Sequence, residues 1–204
     1  MDLTLFINNE HPADDDLTAR FNDHIEQVRI ARQAGYDGIA IGNHLSFGST
    51  AWFPPLETLM RLAAEADGMS LATCMLVLPL YHPLHVIEQA SLLDIVSGGK
   101  LILGVAPGWT EDEFKAMGVT HNRRLGRFIE GVTLMQRLWS EQTVDFEGNF
   151  FRPKGYRSPR SPSRNQGRLC GLAAASVQQW RAWRALQILR SATVGSRPRI
   201  WWKT

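Results

Sequence analysis

Ser97-Gly98-Gly99-Lys100-Leu101-Ile102-Leu103-Gly104-Val105-Ala106-Pro107-Gly108-Trp109 is the stretch on which the fold turns. Before it, Val86, Ala90, Leu93 and Val96 recur at helical spacing, so the paired glycines stop a helix. No helix N-terminus follows Gly98-Gly99, which makes the pair a stop and not a phosphate cradle. Leu101–Val105 is an apolar run too short for a helix and suited to a buried strand. A loop, Ala106-Pro107-Gly108-Trp109, follows at once. The order is helix, stop, strand, loop.

The same order repeats upstream. Leu3–Ile7 is a compact apolar run before the polar break Asn8-Asn9-Glu10-His11-Pro12. From Leu17, the positions Phe21, Ile25, Val28 and Ala31 form a helical stripe that ends before Gly35. Ile39-Ala40-Ile41 is a second strand, and Pro54-Pro55 opens a helix running towards Ala66. Ser70–Leu78 is a third strand, and Pro83 stands where a first helical turn tolerates it. Downstream of the opening stretch, Phe128, Val132, Met135 and Trp139 give the clearest helical face in the chain. Four strands apolar on both faces, alternating with helices, predict an α/β fold with a helix-covered parallel sheet. An open doubly wound sheet and a closed barrel both satisfy that pattern.

In either architecture a site forms where the strands end, so the loops there are the candidates. The second strand is followed by Gly42-Asn43-His44, the third by Pro79-Leu80-Tyr81-His82-Pro83, and the fourth by Pro107-Gly108-Trp109. They offer a titratable imidazole, a proline corner, and glycines that let backbone approach a ligand. His82 beside Pro83 reads as a helix entry, and Cys74 in its apolar strand as a small core residue. Asp14-Asp15-Asp16 reads as a solvated acidic start to the first helix. For Arg123, Arg124 and Arg127, salt bridging and phosphate contact are both open. No carboxylate pair, metal cluster or Schiff-base lysine stands at the strand ends, which argues against a barrel hydrolase or aldolase.

The ordered series Val77-Leu78-Pro79, His82-Pro83, Leu92-Leu93-Asp94, Ser97 to Leu101 and Gly104 to Trp109 resembles the luciferase-like monooxygenase family. Glu113-Phe114, Gly118, Arg124, Glu130, Trp139 and Phe146-Glu147-Gly148-Asn149-Phe150 continue the resemblance to about Pro153. The resemblance implies a (β/α)8 TIM barrel, of which about four β/α units are present, with reduced FMN or coenzyme F420 above the strands. It implies oxygen insertion into a small-molecule substrate with FMN, and hydride transfer with F420. It makes His44 the group that moves a proton beside the flavin. It makes Cys74 and Met75 a pair whose backbone, often through a non-proline cis peptide, packs against the ring. Pro107, Gly108 and Trp109 become the rim of the cofactor pocket; some members carry Arg at the position of Pro107, where it reaches the phosphate. A flavin reductase supplying reduced flavin, and a homodimer, are further implications. In the family, loops after the later strands supply much of the phosphate site.

Composition divides the chain. All twenty acidic residues lie at or before Glu147, accompanied by ten Lys and Arg; the remaining twelve Lys and Arg follow, with no acid among them. Two domains are therefore expected: a partial barrel at 1–153 and a basic Arg/Ser/Trp-rich tail at 154–204. Three readings of that tail compete: a nucleic-acid or anionic-surface module, a disordered extension, and sequence read in a shifted frame. The position of the break in mid-fold favours the last, and with it an impaired, flavin-weak protein. A basic interaction protein on a partial barrel is the non-enzymatic alternative. Two cysteines without framework spacing and no signal-like start point to a cytoplasmic protein, and no run is long enough for a membrane helix.

Overall fold

Four of the apolar runs pair side by side as parallel strands in the computed structural model, which describes residues 3–157. The readings of the tail beyond Arg157 lie outside the described residues. In chain order the elements are β1 (Thr4–Ile7), β2 (Glu10–Pro12), α1 (Leu17–Gln33), β3 (Gly38–Ile41), β4 (Thr50–Trp52) and α2 (Pro55–Leu62). There follow β5 (Ser70–Val77), a 3-10 turn (Leu78–Leu80), α3 (Pro83–Val96), β6 (Leu101–Ala106), α4 (Glu111–Ala116), a second 3-10 turn (His121–Arg123) and α5 (Arg124–Ser140).

The main sheet runs β1-β3-β5-β6, so each strand lies beside the next one made and the order never reverses. A doubly wound sheet reverses its order at a switch point; a barrel does not. The progression is that of a barrel wall. All four residues of β3 are buried, as a strand covered on both faces requires. β1 departs from that expectation, for Thr4 is exposed and Phe6 is 53% exposed. It is an edge strand, with no neighbour on its outer side among the described residues.

The helices start and stop on local chemistry. Asp16 caps α1, its carboxylate accepting the Thr18 and Ala19 N–H groups at 3.0 and 3.1 Å. Asp15 pairs with Arg20 at 2.8 Å, so the acidic run does more than sit in solvent. His82 caps α3 as a helix entry, its Nδ1 accepting the Leu84 N–H at 3.2 Å. Val86, Ala90 and Leu93 are buried as the stripe predicts, but Val96 is 52% exposed because the stripe drifts off the core in the last turn. Phe128, Val132, Met135 and Leu138 anchor α5. Among the described residues no helix is long and apolar enough to cross a membrane.

A second, two-stranded sheet has no counterpart in the sequence reading. β2 and β4 pair antiparallel, with His11 opposite Ala51, inside what reads as a polar break. Behind it His11, His24 and Phe53 meet in tilted and edge-on contacts with ring centroids 5.1 to 5.6 Å apart, and Phe21 closes the cluster. His24 donates from Nε2 to the Asn8 carbonyl at 3.1 Å. Burial, reinforced by the neighbouring His11, holds the His24 pKa below its usual value; the Asn8 bond and Asp23 oppose that less strongly. Burial also lowers His82. A histidine depressed in the folded state costs stability once the unfolded chain takes up the proton, below about pH 6.5. Urea midpoints should therefore be flat above about pH 7 and fall as the pH drops through 6. His24→Gln should fall less steeply over that window; an equal fall would remove His24 as a cause.

Candidate active site

Parallel strands bring every carboxyl end to one side of the sheet, and buried asparagines lock those ends together. Asn9, just after β1, donates from Nδ2 to the carbonyls of Gly42 at 3.3 Å and Phe53 at 2.9 Å. Asn43, just after β3, accepts the Val77 N–H at 3.0 Å and the Tyr81 hydroxyl at 3.3 Å on Oδ1. Each spans two strand ends that the loops alone would leave free to part. The sequence pointed to neither role, since both bonds join residues more than thirty positions apart.

His44 follows Asn43 directly and is held on three sides. Its Nδ1 lies 3.0 Å from Oε1 of Glu113 on α4, which is 2% exposed. The same Glu113 oxygen accepts the Leu45 N–H at 2.6 Å. Trp52 and Trp109 meet the imidazole edge-on, with centroids 5.0 and 6.1 Å away. About a third of the His44 side chain, 32%, stays open to solvent and to a ligand.

Cys74 and Met75 lie one strand over, joined by a cis peptide bond. The β5–β6 ladder shifts register between Thr73 and Leu76, so these two residues sit at an irregularity of the ladder with no residue of β6 directly opposite. The irregularity lies near the end of the sheet where His44 sits. The Thr73 hydroxyl donates to the Gly104 carbonyl at 2.7 Å, covering an acceptor at that irregularity. Gly104 is glycine by necessity, because a Cβ there would run into the Thr73 carbonyl oxygen and crowd the Met75 sulfur. Burial pushes the Cys74 thiol up, so it is held as a thiol and not as a thiolate nucleophile.

The Pro107-Gly108-Trp109 loop closes the group. Gly108 has φ +70°, and a Cβ on it would strike Val77 and the Phe114 ring. Pro107 is buried while Trp109 is 69% exposed, leaving its indole at the mouth beside His44. Arg124 donates to the Gly108 carbonyl at 3.2 Å, and His121 meets the Trp109 carbonyl at 3.1 Å. Arg127 donates to the Pro79 carbonyl at 2.8 Å and lies over the Phe151 ring at 4.6 Å. Arg123 lies over Phe150 at 4.7 Å. These arginines brace loops, through backbone carbonyls and aromatic faces.

The structure thus brings His44 and Trp109 into ring contact and sets the Met75 sulfur beside Gly104 of β6, the strand that leads into the Trp109 loop. A model of the luciferase-like monooxygenase family matches residues 1–182, running past Pro153. The chain belongs to that family. It is 27% identical over 164 residues to the oxygenase component of flavin-dependent trigonelline monooxygenase from Acinetobacter baylyi, covering 78% of this chain and 45% of that protein. It is 30% identical over 138 residues to an F420-dependent glucose-6-phosphate dehydrogenase from Intrasporangium calvum, covering 63% and 41%. Among solved structures, the monooxygenase RslO1 from Streptomyces bottropensis superposes with a TM-score of 0.82 at 22% identity, over 98% of this chain and 68% of the other. The chain spans less than half the length of the two curated relatives. Family members include flavin-dependent monooxygenases and F420-dependent oxidoreductases, so the family is one of redox enzymes on an α/β barrel.

Proposed function

We propose that the described residues form one wall of a reduced-FMN site in a monooxygenase-type oxidoreductase. The observation that carries this reading is convergence. His44, the irregular backbone at Cys74-Met75 and the Pro107-Gly108-Trp109 rim all lie at the carboxyl ends of neighbouring strands. An isoalloxazine ring suits that arrangement, because it needs a flat approach to backbone, glycines that leave room, and an imidazole at its edge. Bound reduced FMN would supply the electrons that activate oxygen. His44 would hold or release a proton at the ring edge, and Trp109 would exclude water from the mouth.

The phosphate end is less well provided for. The family resemblance implies Arg in some members at the position of Pro107, and here Arg124 and Arg127 are occupied with backbone carbonyls. Binding is therefore weak in this chain, which we read as an impaired form of the enzyme. The partner is a reductase delivering reduced flavin, by analogy with the relative named an oxygenase component. We place the protein in the reducing cytoplasm, as a homodimer acting on a small molecule and oxygen. F420-dependent hydride transfer is the second reading, favoured by the glucose-6-phosphate dehydrogenase relatives.

Fluorescence titration separates the two. FMN should be quenched saturably, F420 not, and the flavin should be lost on desalting. Saturable F420 quenching without an FMN response would reverse the choice, and flavin retained through desalting would contradict the weak phosphate end.

A further inference from the structure

We infer that Glu113 is a positioning residue that fixes which ring nitrogen of His44 faces the reacting molecule. The inference rests on the reading of His44 as the proton-moving group. A backbone N–H can only donate, so the 2.6 Å contact from Leu45 identifies Oε1 of Glu113 as an acceptor. That same oxygen lies 3.0 Å from Nδ1 of His44, so the hydrogen of that bond sits on Nδ1. In the neutral ring, that leaves the lone pair on Nε2. Trp52 and Trp109, edge-on to the ring, oppose a flip that would exchange these positions.

The cost of the arrangement argues that it serves more than packing. Glu111 and Asp112 stay exposed in the first turn of α4, where acidic residues favour the helix dipole without being buried. Glu113 instead turns inward, and its second oxygen, Oε2, is buried with no hydrogen-bond partner among the described residues. A carboxylate is buried in this way when its other contacts repay the desolvation. Here those contacts are the His44 ring and the amide that follows it.

The test uses the full chain with labelled histidine and two-bond proton–nitrogen correlation, His44 being assigned with His44→Asn. In the neutral ring of the parent, Nδ1 should carry the proton. Glu113→Gln keeps an oxygen acceptor and should keep that tautomer. Glu113→Met removes it and should shift the ring towards the Nε2-protonated form. Oxygen consumption with reduced FMN should fall about 10- to 100-fold in Glu113→Met, in kcat more than KM, and by only a few-fold in Glu113→Gln. A parent ring protonated on Nε2 overturns the inference, and needs no variant to fold. So does a Glu113→Met protein, folded by circular dichroism, whose tautomer is unchanged. A shifted tautomer with unchanged turnover upholds the hold on the ring and overturns the proton-moving role of His44.

Discussion

Gly104→Val should destabilise the chain by about 3 kcal/mol or more, a large part of the stability a domain of this size commands. The new Cβ would be driven into the backbone carbonyl of Thr73, with the Met75 sulfur on its other side. A side chain could swing away; a carbonyl inside a strand cannot. Thr73 is itself paired with Leu103 across the ladder, and its hydroxyl is bonded to the Gly104 carbonyl. Relief would require moving β5 against β6 at the register shift. Gly126→Ala in α5 is the comparison, because its Cβ would meet only the edge of the Phe150 ring at 3.3 Å. There the gain in helix propensity, about 1 kcal/mol, offsets the crowding. Urea unfolding of both variants gives the answer, and equal midpoints would sink the steric account of Gly104.

Glu130→Ala should cost about 3 kcal/mol and free the segment that follows α5. Its Oε1 accepts the N–H groups of Phe150 and Phe151, and its Oε2 accepts that of Asn149, each at 2.8 Å. One carboxylate therefore satisfies three consecutive amides, and Gly148 leaves it room, since a Cβ there would run into the carboxylate. Phe151, buried by this clamp, presents its ring to His82 and Arg127. Glu130→Gln, which retains one acceptor, should lose less. Amide hydrogen exchange at Asn149, Phe150 and Phe151 reads the clamp directly. Protection unchanged in Glu130→Ala would show that the loop is held by its rings alone.

The sequence disclosed the elements that advertise themselves by periodicity and withheld those made by distant pairing. Leu101–Val105 and Ile39-Ala40-Ile41 are continuous apolar runs, and both emerge as buried strands. The choice between open sheet and barrel lies in strand order, which periodicity does not encode. β2 and β4 are three residues each and lack an alternating pattern, so nothing local predicts that they pair. Glu113 was legible only as part of a family series. It lies sixty-nine positions from His44, and its two acidic neighbours in the same turn stay outside. Which of three adjacent carboxylates faces inward is decided by how α4 packs. Asn9 and Asn43 escaped for the same reason, being ordinary loop residues until the strands beside them are in place.

The unreversed order of the main sheet also bears on how the chain is assembled. Thr4 pairs with Gly38, Ile39 with Leu71, and Leu71 with Leu101, so each strand meets a partner about thirty residues behind it. Every such contact closes a loop of similar size, and none waits for a strand still to be made. On the ribosome, each strand–helix unit would emerge to find its docking edge already exposed. The wall can then grow in the direction of translation, one unit at a time, with only its newest strand left to recruit the next.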